Sequence, residues 1–433
     1  MIKNFFQLDD FNTSIRTEVI AGITSFLACS YIIVVNPGVL SATGIEYSAL
    51  LTATVLISMF SSIAMGLYAN NPIVLAPGMG LNAFFAFSLV IGMKVPVPTA
   101  LGAVFWSGVI FILLSIFKLR ELIIDSIPLS LQKAVACGIG LFIAFIGFKN
   151  AGMVIDSAPT LVTMGPINPI TVSFFIGFAI TCFFVLRKIQ GGLLFGIIIT
   201  TIIFIPIGRL YGDQILVSFK GIFAYPDFSL FGKLDFLGAL KWSLYPAIFS
   251  LVFTDLFDTL STFVGVSQAG GLIDENGRPI RMKKSLLVDA VATTCSGIVG
   301  ISPTTSFIES AAGIQAGGRT GLTAVVAGLL FFPFLFLSPL LSMIPAQATA
   351  PALILVGAFM MAPVLKIKWD QLDEAIPAFL AMILIPLTFS ISHGIIWGFL
   401  SYTLCKLIMG KHKEIPKFLY LIDALCLVML FIH

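Results

Sequence analysis

Residues 302–321 read SPTTSFIESAAGIQAGGRTG. The stretch is small, Gly-rich and polar, yet apolar runs long enough to cross a bilayer flank it. Glu309 stands in its middle. A carboxylate at membrane depth costs several kcal/mol unless it is paired, protonated or facing water. A chain that places one in an interrupted helix points to a site that uses it. A second interrupted stretch, NPIVLAPGMGLNAFFAF, occupies residues 71–87. Each opens with Pro, Gly or small residues, and each leads into a helix too short for a ~30 Å hydrocarbon core at 1.5 Å per residue.

Of 433 residues, 58% are hydrophobic and 10% charged, with mean hydropathy +1.07. Soluble domains carry about 25% charged residues. The composition therefore implies an all-α polytopic membrane protein. A net charge of +3 gives no reason to expect a nucleic-acid partner. The six cysteines lack C-x-x-C spacing and the three histidines lack H-E-x-x-H grouping, so no metal, cofactor or disulfide frame is expected. No G-x-x-x-x-G-K-[ST] run is present, which argues against an ATP motor in this chain. AGGRTG at 316–321 reads instead as a tight turn at a span boundary. The N-terminal MIKNFFQLDDFNTS has none of the marks of a signal peptide, so the first span is expected to act as its own insertion signal.

Apolar runs bounded by charge, Gly or Pro number fourteen, from 17–36 to 393–410, with the third at 79–92 and the tenth at 304–316. A further apolar stretch at 418–432 is interrupted by Asp423 and therefore reads as an interfacial helix and not a fifteenth span. With the N-terminus in the cytoplasm, this map puts eighteen of the 24 Lys and Arg on the cytoplasmic side, the bias of the positive-inside rule. The two short spans each stand third in a set of seven. Seven is odd, so the second set is inverted relative to the first. Paired broken segments at matching positions of inverted halves point to a transporter's substrate site.

Four acids lie well inside apolar runs: Asp255, Asp258, Asp289 and Glu309. Asp255 and Asp258 share a helix face, with Thr259 and Thr262 on much the same side. A carboxylate can accept two hydrogen bonds from adjacent N–H groups of a neutral heterocycle, and can also take up a proton when desolvated. Asp258 and Asp289 equally suit a purely shaping role through hydrogen bonds to backbone or hydroxyl groups. Asn82 adds an amide that both donates and accepts. Gly78 and Gly80 permit close backbone approach of a ligand. Phe84, Phe85 and Phe307 either stack a flat ring or simply pack.

These residues carry a resemblance over essentially the full length. TEVIAGITSF (17–26), NP (36–37), APGMGLNAFFAF (76–87), DLFDT (255–259) and IESAAGIQAGGRTGLTA (308–324) resemble the AzgA-like branch of the nucleobase–cation symporter families. Ser261 and Ile301 depart from the branch, which usually has Gly and Thr there. The resemblance implies a uracil-permease-like fold of fourteen segments in two inverted repeats of seven. It implies a core domain from residues 1–118 and 242–342, and a gate domain from 119–241 and 343–433. It also implies functional roles for Asn82, Asp255, Asp258 and Glu309.

The combined expectation is a multi-pass permease of the bacterial inner membrane that imports adenine, guanine or hypoxanthine with protons. Substrate contacts are expected at Glu309, Asp255, Asn82, Asp258, Gly80, Phe307 and Phe84, with the coupling proton on Asp255 or Glu309. Core-against-gate motion and a homodimer are consistent with this fold. A channel-like facilitator, or a symporter for xanthine or uracil, is the alternative. An enzyme is not expected, for no nucleophile–base pair is evident. An anion exchanger fits poorly, because no Lys or Arg lies near Glu309 within the spans.

Overall fold

The computed structural model describes residues 2–117, 127–210, 216–273 and 279–430. Lys118, Arg120 and Arg278, three of the eighteen basic residues expected on the cytoplasmic side, lie outside the described residues, as does the expected 118/119 domain boundary. Among the described residues, eight helices are long and apolar enough to cross a membrane, and shorter apolar helices cover Met79–Gly92, Gly192–Ile207 and Gly321–Phe336.

The first span is two helices, α1 (Ile15–Cys29) and α2 (Ile32–Leu40), joined at Ser30–Tyr31. Helix α3 (Tyr47–Ala64) runs on into a π-helical turn at Met65–Ala69. Strand β1 (Leu75–Pro77) leads into the short α4 (Met79–Ala83), which continues as a π-helix to Gly92. Next come α5 (Val97–Ile116), α6 (Leu129–Asn150), α7 (Pro169–Leu186) and α8 (Gly192–Leu210). The chain resumes with α9 (Tyr245–Gly270), α10 (Met282–Val299), strand β2 (Thr304–Ser306), the six-residue α11 (Ser310–Gln315) and α12 (Gly321–Phe331). Helices α13 (Ala346–Phe359), α14 (Leu372–Thr388), α15 (Ile391–Ile408) and α16 (Lys417–Leu430) complete it.

Two sets of helices pack internally. Helix α12 lies against α1 and α3, and α10 against α5; helix α6 lies against α13 and α14, and α14 pairs with α15. Small residues set the closest crossings. A Cβ on Gly321 would sit 2.0 Å from the Gly66 carbonyl oxygen, so the start of α12 and the end of the second span touch backbone to backbone. Glu18, fully buried, accepts from the backbone N–H of Arg319 at 2.9 Å and of Thr320 at 3.3 Å, and from the Thr323 hydroxyl at 2.6 Å. Its charge thus meets the free N–H groups that open α12.

Strands β1 and β2 decide the centre of the molecule. They pair antiparallel, with Leu75 opposite Ser306, Ala76 opposite Thr305 and Pro77 opposite Thr304. The pairing continues from Gly78 N–H to Pro303 O and from Phe307 N–H to Val74 O, both at 3.0 Å. Unwound backbone among apolar helices finds no water to bond, so the two broken segments satisfy each other. Ser62 closes one edge, accepting from Leu75 N–H and donating to Leu75 O.

Helix α16 reaches Leu430, while the expected stretch to 432 runs past the described residues. Asp423 does not interrupt it. The carboxylate is buried and accepts from the Thr403 hydroxyl of α15.

Candidate functional site

The antiparallel crossing brings the ends of four elements together. Helix α4 leaves one strand and Glu309 begins α11 just after the other. Helices α9 and α10 lie alongside. The sequence dictates much of this locally. Pro77 and Gly78 halt regular structure before α4, and the β-branched run Thr304–Thr305 favours extended backbone.

Glu309 keeps part of its surface accessible and accepts a hydrogen bond of 2.6 Å from the Tyr31 hydroxyl. Tyr31 sits at the joint of the first span, between α1 and α2, and is 1% exposed. Its ring lies 6.4 Å from that of Phe307 at 43°. Asp258 is also partly accessible, is bonded by the Thr305 hydroxyl, and is near enough to Glu309 and Asp255 to feel both charges.

Asp255 stands apart from Asp258 despite sharing its helix face. It is 2% exposed. One carboxylate oxygen accepts from Thr259 at 3.1 Å and the other from Thr293 at 3.0 Å. The Thr259 oxygen also lies 2.9 Å from Asp289 and 3.0 Å from the Thr305 hydroxyl. Thr293 lies 2.8 Å from the Thr304 carbonyl. Asp255 and Asp289 therefore belong to a sealed threonine network that ties α9 and α10 to β2.

Asn82 is fully buried and accepts from the Ser302 hydroxyl at 2.6 Å, bracing α4 against the turn before β2. Gly80 faces helix α6: a Cβ there would lie 2.4 Å from Ile139 Cγ2, so the room its missing side chain leaves is taken by protein in this conformation. Gly78 lies against Thr305 in the same way. Phe84 is 1% and Phe307 5% exposed, and both pack in the main apolar core.

Tyr31, Thr293, Thr305 and Ser302 escaped sequence reasoning. The one available signal for Tyr31 was a lone aromatic hydroxyl inside the apolar run CSYIIVVNP. The threonines carry no such mark, because single hydroxyls are common within membrane helices.

Two unwound segments paired inside an apolar bundle, with carboxylates at their crossing, define a membrane transporter. The chain belongs to the Permease family, whose model matches residues 16–396. It is 41% identical to adenine permease AdeP of Escherichia coli (strain K12) over 98% of this chain and 95% of that protein. It is also 41% identical to guanine/hypoxanthine permease PbuO of Bacillus subtilis (strain 168), over 99% and 100% respectively. These relatives bear out the AzgA-like resemblance. Among solved structures, the transmembrane domain of the cyanobacterium bicarbonate transporter BicA aligns with a TM-score of 0.66 over 88% of this chain and 97% of that one. At 16% identity that likeness bears on fold alone, which is the uracil-permease-like, all-α polytopic fold.

Proposed function

We propose that this permease imports purine nucleobases, adenine, guanine or hypoxanthine, by proton symport across the bacterial inner membrane, with its N-terminus cytoplasmic. The names of the relatives support the substrate class. The observation that carries the site is the proximity of two partly accessible acidic residues, Glu309 and Asp258, beside the crossing of the broken segments. A purine edge offers adjacent N–H donors, which a carboxylate accepts in charge-assisted bonds roughly twice as strong as neutral ones.

Glu309 grips the purine and holds the coupling proton; Asp258 completes the grip. Asp255 and Asn82 act one layer further out. Asp255 fixes α9 against β2, and Asn82 fixes α4 against Ser302. Phe307 offers a ring face beside Tyr31, and Phe84 and Gly80 shape the wall toward α6. Proton and substrate together satisfy the carboxylates. The loaded core, residues 1–118 and 242–342, then moves against the gate, residues 119–241 and 343–433, within a homodimer of fourteen-segment protomers.

Uptake of radiolabelled adenine, guanine and hypoxanthine by cells lacking their own purine permeases tests this reading. Saturable uptake, competed by purines over pyrimidines and abolished by a protonophore, is expected. Uptake that survives the protonophore rules out proton coupling, and preferential competition by uracil rules out the substrate class.

A further inference from the structure

A groove of about 460 Å³ runs along the outer face of the molecule between α3 and α10, away from the carboxylates. Ile57, Phe60 and Ala64 form one wall, and Leu287, Val291 and Cys295 the other. Its shape follows from residue size. Phe60 and Tyr68 stand out at 60% and 55% exposure, and the small Ser61, Ala64 and Ala292 leave the hollow beside them. Ser61 presents no free polar atom to it, since its hydroxyl bonds the carbonyls of Ile57 and Leu75.

One end of the groove is charged. Lys284 places its ammonium 5.8 Å from the Tyr68 ring centroid, and Lys283 beside it is exposed. Neither lysine makes an ion pair among the described residues. Arg281, by contrast, is already engaged by the Asn70 carbonyl, the Gln7 amide and the Phe11 ring. A Tyr beside a Lys at the end of a span is a headgroup-level pairing. From Lys284 to Cys295 the helix rises about 16 Å, half of a ~30 Å hydrocarbon core. The groove thus has the depth of one leaflet, with cations at its mouth and apolar walls below.

We propose that this groove binds an anionic glycerophospholipid. One acyl chain lies between α3 and α10, and the phosphate sits against Lys283 and Lys284. An apolar groove alone would accept any lipid; the ammonium groups of Lys283 and Lys284, which make no ion pair among the described residues, select a negative headgroup, at about fivefold per lysine.

Native mass spectrometry of the full chain in detergent, with equal amounts of phosphatidylglycerol and phosphatidylcholine bearing the same acyl chains, tests the assignment. Preferential retention of one phosphatidylglycerol per protomer is expected. Lys283→Gln with Lys284→Gln should erase roughly a 25-fold preference while leaving lipid retention itself. Val291→Trp, which fills the groove from its exposed side and keeps both lysines, should displace the bound lipid of either kind. Equal retention of the two lipids by the unaltered protein, or an unchanged preference in the double lysine variant, overturns the proposal. So does full retention in the tryptophan variant. None of these readouts depends on which solute is transported.

Discussion

The Tyr31 hydroxyl donates to Glu309 at 2.6 Å, linking the joint of the first span to the start of α11. The first span thereby takes part in the site through a residue 278 positions away from the carboxylate. Removing the hydroxyl with Tyr31→Phe leaves the ring against Phe307 and frees Glu309. A hydrogen bond to a charged group contributes about 1.5–3 kcal/mol. Uptake kcat/KM for the best purine should fall roughly 10- to 150-fold. Glu309→Gln should abolish uptake with normal membrane expression; full retention of uptake by that variant would remove Glu309 from the mechanism.

Asp255 and Asp258 should separate by phenotype. Asp255→Asn replaces an acceptor that two threonine hydroxyls share, and leaves buried groups mismatched at about 1–3 kcal/mol. It should lower the thermal midpoint of the purified protein as well as uptake. Asp258→Asn should lower uptake at least tenfold with the midpoint unchanged. A thermal-unfolding assay on both variants decides, and the reverse pattern would exchange their roles.

Gly80 and Ile139 form a steric pair across α4 and α6. Gly80→Ala drives a Cβ to 2.4 Å from the Ile139 methyl, and χ1 of a β-branched residue has little freedom to yield. Overpacking of this kind costs about 1–3 kcal/mol. Gly80→Ala should impair uptake, and Gly80→Ala with Ile139→Ala should restore most of it. Equal defects in the single and double variants would show that the contact is not the cause.

Asp227, in the segment between α8 and α9, offers a pH-dependent prediction. Burial pushes its carboxyl up, but hydrogen bonds from the Ser229 N–H and the Ser48 hydroxyl outweigh it, and the net result lies below the ordinary 3.8. A carboxyl held low stabilises the fold above its unfolded value and loses that contribution as pH falls through the folded one. Asp227→Asn should therefore be less stable than the unaltered protein at pH 7. The difference should shrink below about pH 4. A gap in unfolding midpoint that stays constant down to pH 3 contradicts this.

Lys406 of α15 is 2% exposed and lies 2.9 Å from each of Asp373, Glu374 and Glu414. Lys411 adds a second contact to Asp373 at 2.8 Å. Lys406→Ala leaves the largely buried Glu374 without its cation and Asp373 with Lys411 alone, a loss of about 3 kcal/mol. Folded protein recovered from membranes should drop sharply. Lys406→Met with Asp373→Asn and Glu374→Gln should recover part of it. Monodisperse protein on size-exclusion chromatography reads both outcomes.

The sequence by itself determined the membrane fold, because apolar length and the sparseness of charge leave no alternative. It also located the two broken segments, because Pro, Gly and polar residues cannot be hidden in a lipid-facing helix without purpose. It singled out Glu309, Asp255, Asp258 and Asn82 as unusual for the same reason. The tertiary structure decided what these groups touch. Asp255 and Asp258 share a helix face and look alike in sequence. The hydroxyls of Thr259 and Thr293 hold Asp255 in the framework, while Asp258, bonded by Thr305, keeps part of its residue surface accessible. Tyr31 is one aromatic in an apolar run until the bend at Ser30–Tyr31 carries its hydroxyl to Glu309. Gly80 reads as room for a ligand until Ile139 is seen to fill that room. Periodicity and composition report what each segment must bury. Contacts hundreds of residues apart in sequence depend on how the β1–β2 crossing sets the four elements around it, and no local pattern encodes that.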